Sequence, residues 1–207
     1  SVGLKLRDRI IASLPRMASA ATKLAPLANA SRGLAHFVGF STSRKLPVFK
    51  RAFAGKPDGE VLLFADTFNR YFDPETLAAA QRVIERAGFS VGVLSIRGRP
   101  LCCGRTYLSA GLPDKAKAEL ERTTIAMRDA LDAGKVIVGL EPSCTLMFRD
   151  EAVNLISDWT ADDGAQILTF AEFIAQHSDH LTARSETNVV VHGHCHQKAM
   201  GVAQTTV

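Results

Sequence analysis

No apolar run in this chain approaches the roughly 18 residues needed to cross a bilayer. Arg7, Asp8, Arg9, Arg16 and Lys23 interrupt the N-terminal stretch. A membrane-spanning helix and a secretory signal are therefore not expected, and the expected setting is cytoplasmic, or peripheral at the inner membrane through partners. Cysteine is scarce, with four in 207 residues, and two of them, Cys102 and Cys103, are adjacent. Without a secretory signal such a set points to metal binding or redox use rather than a disulfide framework. Acid is almost missing from one region: residues 1–56 hold eleven basic side chains against the single acid Asp8. The pI of 9.0 therefore describes that region, the rest of the chain is net negative, and nucleic-acid binding does not follow from the pI.

What the chain has is enough apolar material for a core. At 46% hydrophobic and 22% charged residues it lies far from disordered compositions. Its length fits one α/β domain with an appended arm. The opening Ser1, in place of methionine, reads as processing or excision from something longer.

Residues 1–56 read as a basic helical arm and linker, and 57–207 as the α/β domain. From Leu4 to Ala28, apolar positions recur every three to four residues between basic ones, predicting an amphipathic helix broken by Pro15 and Pro26. Residues 31–59, rich in Ser, Gly, Lys and Pro, predict a packed linker with Phe37, Phe40, Phe49 and Phe53 as isolated anchors. From Glu60 onward, apolar runs alternate with helical stretches, the signature of βαβ units. Strands are expected at Val61–Ala65, Val91–Ile96, Val136–Gly139 and Asn188–Val191, with a short strand or turn at Ile167–Leu168. Helices are expected over about Pro74–Ala87, Pro113–Asp132 and Ser143–Ile156, and through Phe170, Phe173 and Ile174. The expected fold is α/β, a mostly parallel, Rossmann-like sheet of about four strands flanked by helices, with an N-terminal helical arm.

Each of the four main strands is followed by an unusual polar or sulfur-bearing segment: Asp66 and Thr67; Cys102 and Cys103; Glu141 and Cys144; and His192 through His196 with Cys195. Right-handed crossovers bring such segments to the carboxyl edge of a parallel sheet, where ligand sites form. Cys102, Cys103, Cys144 and Cys195 equal in number the thiolates that commonly hold a four-iron cluster. Adjacent cysteines suit separate irons of a cluster better than one tetrahedral zinc. The alternating histidines could nevertheless supply zinc together with Cys195 or Cys144. The plainer alternatives are cysteines serving as small buried hydrophobes and imidazoles that merely cap the next helix. Arg97, Arg99, Arg105 and Arg149 lie near the same edge, where they balance thiolates or an anionic substrate, or are ordinary solvated surface.

The runs Leu101-Cys102-Cys103-Gly104, Glu141-Pro142-Ser143-Cys144 and His194-Cys195-His196-Gln197-Lys198 resemble the cysteine-rich CCG domain of iron–sulfur oxidoreductases. That family includes the cysteine-rich subunit of heterodisulfide reductase, the glycolate oxidase iron–sulfur subunit, the corresponding subunit of anaerobic glycerol-3-phosphate dehydrogenase, and large flavin-linked D-2-hydroxyacid (D-lactate-type) dehydrogenases. Its members usually carry two motif copies, each with a leading cysteine, a Cys-Cys pair and a final Cys-x-x-Cys. Thr67 stands where the first copy's leading cysteine would be, and Glu141 replaces the first cysteine of the terminal pair. Cys195 matches the leading cysteine of a second copy, and the sequence stops at Val207 before a second Cys-Cys-Gly. The resemblance covers about residues 60–207. It implies an electron-transfer domain of a flavin-linked oxidoreductase acting on a 2-hydroxy acid of the D-lactate or glycolate type. The implied cofactors are a 4Fe-4S-type cluster on Cys102, Cys103, Cys144 and Cys195, and FAD on another domain or subunit. The implied partners are a flavoprotein, a ferredoxin-like iron–sulfur domain and an electron acceptor. No substrate-oxidising residue is assigned in this stretch. The alternatives are a zinc-stabilised module, or a non-catalytic docking domain whose basic arm binds an acidic partner.

Overall fold

The structure, a computed structural model, describes residues 3–177, 179, 188 and 190–206. In chain order it contains α1 (Leu6–Lys23), α2 (Ala25–Ala30), a 3-10 segment (Ser31–Val38), β1 (Val61–Phe64), α3 (Thr67–Tyr71), α4 (Pro74–Arg86), β2 (Val91–Val93), α5 (Arg105–Ser109) and α6 (Pro113–Asp132). There follow β3 (Val136–Gly139), α7 (Pro142–Thr145), α8 (Glu151–Leu155), α9 (Ala161–Ala165), β4 (Ile167–Thr169), α10 (Phe170–Gln176) and α11 (Cys195–Ala199).

The four strands form one all-parallel sheet in the order β2-β1-β3-β4, with Leu62 opposite Gly92 on one side and Ile137 on the other. Strands covered on both faces need apolar side chains at successive positions, and β1 is buried throughout. Leu62, Phe64, Ile137 and Ile167 pack with Leu120 and Met127 of α6. Val61, Leu63 and Val138 point the other way, onto Leu77 and Ile84 of α4 and Phe173 of α10. Each fully buried aliphatic side chain here contributes about 1.5–3 kcal/mol. The strand order reverses direction between β1 and β3, so the loops leaving their carboxyl ends diverge and open a crevice.

The α/β fold is as the sequence predicts, but several elements differ. The fourth strand is Ile167–Thr169, where the sequence pattern allows either a strand or a turn. Of the strand expected at Asn188–Val191, Val189 lies outside the described residues, and Asn188, Val190 and Val191 are irregular, with Val190 almost fully exposed. Val190 and Val191 satisfy β-propensity, yet among the described residues they pair with no strand. The helix expected over Ser143–Ile156 is three short pieces: α7, a 3-10 turn at Leu146–Phe148, and α8, which begins after Asp150 (φ −113°, ψ −85°). Pro15 does not break α1; it sits inside the helix on the buried side, next to Ala12 and Ala18 in the helical array. Packing of that face offsets the roughly 3 kcal/mol a helix-interior proline costs. Phe53 is the buried anchor predicted for the linker, whereas Phe37 is 77% exposed and anchors nothing.

The arm is fastened at several points. The Thr106 hydroxyl donates to the Ala12 carbonyl (3.0 Å), Ala12 packs on Tyr107 and Ala116, and Arg16 reaches the buried carboxylate of Glu119 (3.4 Å). Asn29 exchanges two hydrogen bonds with the backbone of Phe49 (3.0 and 2.9 Å). Further along, the Val93 amide at the outer edge of β2 donates to the carbonyl of Lys56 (2.8 Å). At the opposite edge, Arg149 Nε donates to the Ile167 carbonyl of β4 (2.9 Å).

Candidate functional site

The loop carrying Cys102 and Cys103 is held by one turn of α6. Arg122 donates to the carbonyls of Arg99 (2.8 Å) and Pro100 (2.5 Å), and the Thr123 hydroxyl donates to the carbonyl of Cys102 (2.8 Å). Glu119, fully buried, takes a bidentate pair from Arg99 (2.5 and 2.6 Å). Arg99 is thereby committed to holding the loop. The chain then turns at Gly104, whose φ of +80° is left-handed and where a Cβ would sit 2.8 Å from the Ala116 carbonyl oxygen. Only glycine fits both demands. Its amide donates to Cys102 Sγ (3.3 Å), and α5 starts there.

Cys144 arrives from the carboxyl end of β3. The Glu141 side chain caps α7 by accepting from the Cys144 amide (2.7 Å), in the manner of an acidic N-cap. From β1, Asp66 caps α3 by accepting from the amides of Phe68 (2.9 Å) and Asn69 (3.1 Å), while Asn69 Nδ2 donates to its other oxygen (2.6 Å). Thr67 is buried beside it.

Three of the four cysteines come together. Cys102, Cys103 and Cys144 are buried free thiols, and Cys103 lies within hydrogen-bond reach of both Cys102 and Cys144. The hydrogen bond that Cys102 donates to Cys103, burial and the repulsion of a neighbouring thiolate push the Cys102 thiol well up. Cys102 donates to Cys103 and favours its thiolate, but the bond to Cys144 and burial outweigh this and also leave Cys103 well above the ordinary range. For Cys144 the bond from Cys103 favours the thiolate, yet burial and the nearby carboxylates of Asp66 and Glu141 push its thiol up to about 12. Burial likewise raises the Asp66 carboxyl, against the hydrogen bonds from Asn69. The edge thus gathers sulfurs and carboxylates whose charged forms disfavour one another.

Cys195 is placed differently. It is exposed at the first position of α11, and among the described residues no hydrogen bond joins it to the three buried thiols. Its neighbours do reach the edge. His194 caps α11, its Nδ1 accepting from the His196 amide (3.2 Å), and its Nε2 lies 3.9 Å from Glu141 Oε1. This is the helix-capping role the sequence left open for these imidazoles.

Sequence reasoning missed the group that ties the segments together. Arg105, directly after the Cys-Cys-Gly turn, pairs with both oxygens of Glu151, approaches the Ser143 carbonyl (3.4 Å) and faces His196 Nδ1 (3.3 Å). His196 Nε2 lies 3.2 Å from Asp150 Oδ2. A donor at Nδ1 requires that nitrogen to accept, so the ring proton sits on Nε2 and points at Asp150. Asp150, Glu151 and His196 hold three ligand atoms within 4.8 Å of one another, but Arg105 occupies both oxygens of Glu151, and the arrangement is an ion-pair network. The signal was a charged Asp-Glu pair interrupting a segment read as helix. Arg149, the other edge arginine, pairs with Glu172 (2.7 and 2.8 Å) and is structural. Arg97 is exposed.

Comparison with known proteins adds one likeness. Over 116 residues the chain is 29% identical to D-2-hydroxyglutarate dehydrogenase of Pseudomonas putida. The stretch is 55% of this chain and 11% of that protein, so the chain matches about a tenth of the length of its relative. No protein-family model matches the chain, and no solved structure matches it. The likeness is compatible with a relation to 2-hydroxyacid dehydrogenases. Among the described residues, no helix is long and apolar enough to cross a membrane.

Proposed function

We propose that this chain is a cysteine-rich electron-transfer domain of a flavin-linked oxidoreductase that oxidises a 2-hydroxy acid, of the D-lactate, glycolate or D-2-hydroxyglutarate kind. The observation that carries the reading is the contact series Cys102, Cys103, Cys144 at the carboxyl edge of β1 and β3. The CCG-like motifs and the likeness to a D-2-hydroxyglutarate dehydrogenase support it.

The donor set fits an iron–sulfur cluster in its chemistry. Burial leaves all three thiols raised and so protonated in the absence of a cation, and a bound metal ion would reverse that balance because a coordinating thiol is deprotonated outright. Cys102, Cys103 and Cys144 would hold such a group, with Cys195 as the fourth sulfur in the motif. When bound, a cluster supplies one-electron transfer between a two-electron flavin reaction on a partner domain and a further acceptor. The protein's own residues do the positioning. Gly104 aims its amide at Cys102 Sγ, Glu141 fixes the first turn bearing Cys144, and Arg105 locks that turn and α8 to the Cys-Cys-Gly loop.

The test is iron, zinc and acid-labile sulfide per chain after anaerobic reconstitution, with a visible spectrum before and after dithionite. Iron with matching sulfide and a bleachable band is the expected result. Cys103→Ser and Cys144→Ser should each abolish the band, because they remove the central and terminal members of the series. Stoichiometric zinc without sulfide would establish a zinc-stabilised module instead, and metal-free protein would sink the electron-transfer reading for this chain.

A further inference from the structure

The basic arm carries a cleft that the cysteine site does not use. The 3-10 segment Ser31–Val38 ends at Gly39, whose left-handed φ of +93° turns the chain. The segment that follows comes back alongside: Arg32 Nη1 donates to the Leu46 carbonyl (2.6 Å), while Arg32 Nε donates to the Asn29 carbonyl (3.0 Å). Two backbone carbonyls therefore fix the plane of this guanidinium and use two of its five N–H groups. The remainder meet no carboxylate among the described residues.

Between the 3-10 segment and residues 41–46 lies a cleft of about 330 Å³. Its lining includes Arg32, His36, Ser41, Thr42, Arg44 and Lys45, with no acidic residue. Leu34 and Phe37, the exposed apolar side chains of the same 3-10 segment, do not line it. Among the described residues, Arg32, Arg44 and Lys45 enter no ion pair with a carboxylate, in contrast to Arg7, Arg16 and Lys50 elsewhere in the arm. The Ser41 hydroxyl oxygen accepts from the Ser43 amide (3.1 Å), which leaves its proton to donate. Like charges that share one cleft without a counter-charge repel, and an anion seated among them relieves that repulsion.

We propose that this cleft binds a soluble, phosphate-bearing small molecule, with the fixed Arg32 guanidinium pairing with phosphoryl oxygens and Arg44, Lys45 and the Ser41 hydroxyl completing the neutralisation. The planar fork of arginine matches phosphate bidentately, and hydrogen bonds between charged partners are the strong ones. A carboxylate also fits the fork, but it brings a single negative charge to a cleft lined by several cations, and a phosphoryl dianion answers them better. The volume stands at the lower end of the roughly 300–1,000 Å³ typical of small-molecule sites, with room for a small organic remainder beyond the phosphoryl group. Because Leu34 and Phe37 lie outside the lining, the cleft suits a soluble anion rather than a lipid head group. The site belongs to the arm and stands apart from the electron-transfer reading of the cysteines.

The test is isothermal titration calorimetry of the full chain with inorganic phosphate, pyrophosphate and D-lactate as probes. Saturable one-site binding is expected for pyrophosphate, weaker binding for phosphate and none for D-lactate, and the affinity should fall as salt rises. Arg44→Ser with Lys45→Ser should weaken pyrophosphate binding by about tenfold or more, the loss that charge-assisted hydrogen bonds entail. Arg82→Ser with Arg86→Ser removes the same net charge from exposed positions of α4, outside the cleft, and should leave the affinity unchanged. All four side chains are exposed, and unchanged circular dichroism verifies the fold of both variants. Pyrophosphate should also slow tryptic cleavage after Arg44 and Lys45 in the unaltered protein. No saturable binding of either phosphate overturns the proposal, as does an equal loss from both pairs of substitutions, which marks a diffuse basic surface. D-lactate binding as tight as that of phosphate would overturn the phosphate class, and enrichment on phosphatidylglycerol vesicles without affinity for either soluble phosphate would overturn the soluble one.

Discussion

Gly104 governs the geometry of the paired cysteines through its backbone alone. A Cβ there meets a backbone carbonyl of α6, which cannot swing aside as a side chain would, and φ is +80°. Gly104→Ala should therefore cost about 1–3 kcal/mol in urea denaturation and shift Cys102 and Cys103 together. A thiol reagent gives the finer readout. In the native metal-free protein only Cys195 is exposed, so one thiol of four should react quickly, the others waiting for denaturant. In the Gly104→Ala protein the buried thiols should join the fast phase. Fast reaction of all four in the unaltered protein would contradict the burial of Cys102, Cys103 and Cys144.

At the scale of elements, the pair Arg149–Glu172 joins the turn before α8 to β4 and α10. Both side chains are nearly buried, at 11% and 12% exposed, and Glu172 also closes a capping box with Thr169. Burial opposes ionisation of Glu172, but the hydrogen bonds from Arg149 and Thr169 prevail and hold its carboxyl below the usual range. The sign follows: the unfolded carboxyl takes up a proton first as pH falls, so the stabilisation is complete above the unfolded pKa and is lost as pH drops through the lower folded one. Glu172→Gln should destabilise by about 3 kcal/mol at neutral pH, and the gap to the unaltered protein should close as the medium becomes strongly acidic. Parallel urea curves at several pH values decide it; a gap independent of pH would remove the carboxylate's charge from the explanation.

At the scale of the whole molecule, the sheet and its convergent edge were legible because parallel strands buried on both faces write continuous apolar runs, as in Val61–Phe64 and Val136–Gly139. Cys102, Cys103 and Cys144 could be placed together from strand direction alone. The position of Cys195 could not, because it depended on a strand at Asn188–Val191 that local β-propensity suggests and that the described residues Asn188, Val190 and Val191 do not form. The partners in the Arg105–Glu151–His196 network could not be read because long-range ion pairs leave no period in sequence; the charged Asp150–Glu151 pair was its one local sign. The arm's attachment was equally hidden: Thr106 to Ala12 and Arg16 to Glu119 are contacts between distant segments. They predict that trypsin, cutting at the exposed Arg44 and Lys45, leaves two fragments that co-elute on gel filtration. Glu119→Gln should weaken that association, and separation of the fragments of the unaltered protein would mean the arm is only loosely held.

The groups bound at the two outer strands have a consequence for the protein at high concentration. An open four-stranded sheet offers two unpaired edges, each a template on which another chain could add a strand. Here the Lys56 carbonyl takes the Val93 amide on one side, and the Arg149 guanidinium takes the Ile167 carbonyl on the other. A linker backbone and a charged side chain thus stopper both ends of the ladder, and fibre-like strand addition must first displace one of them.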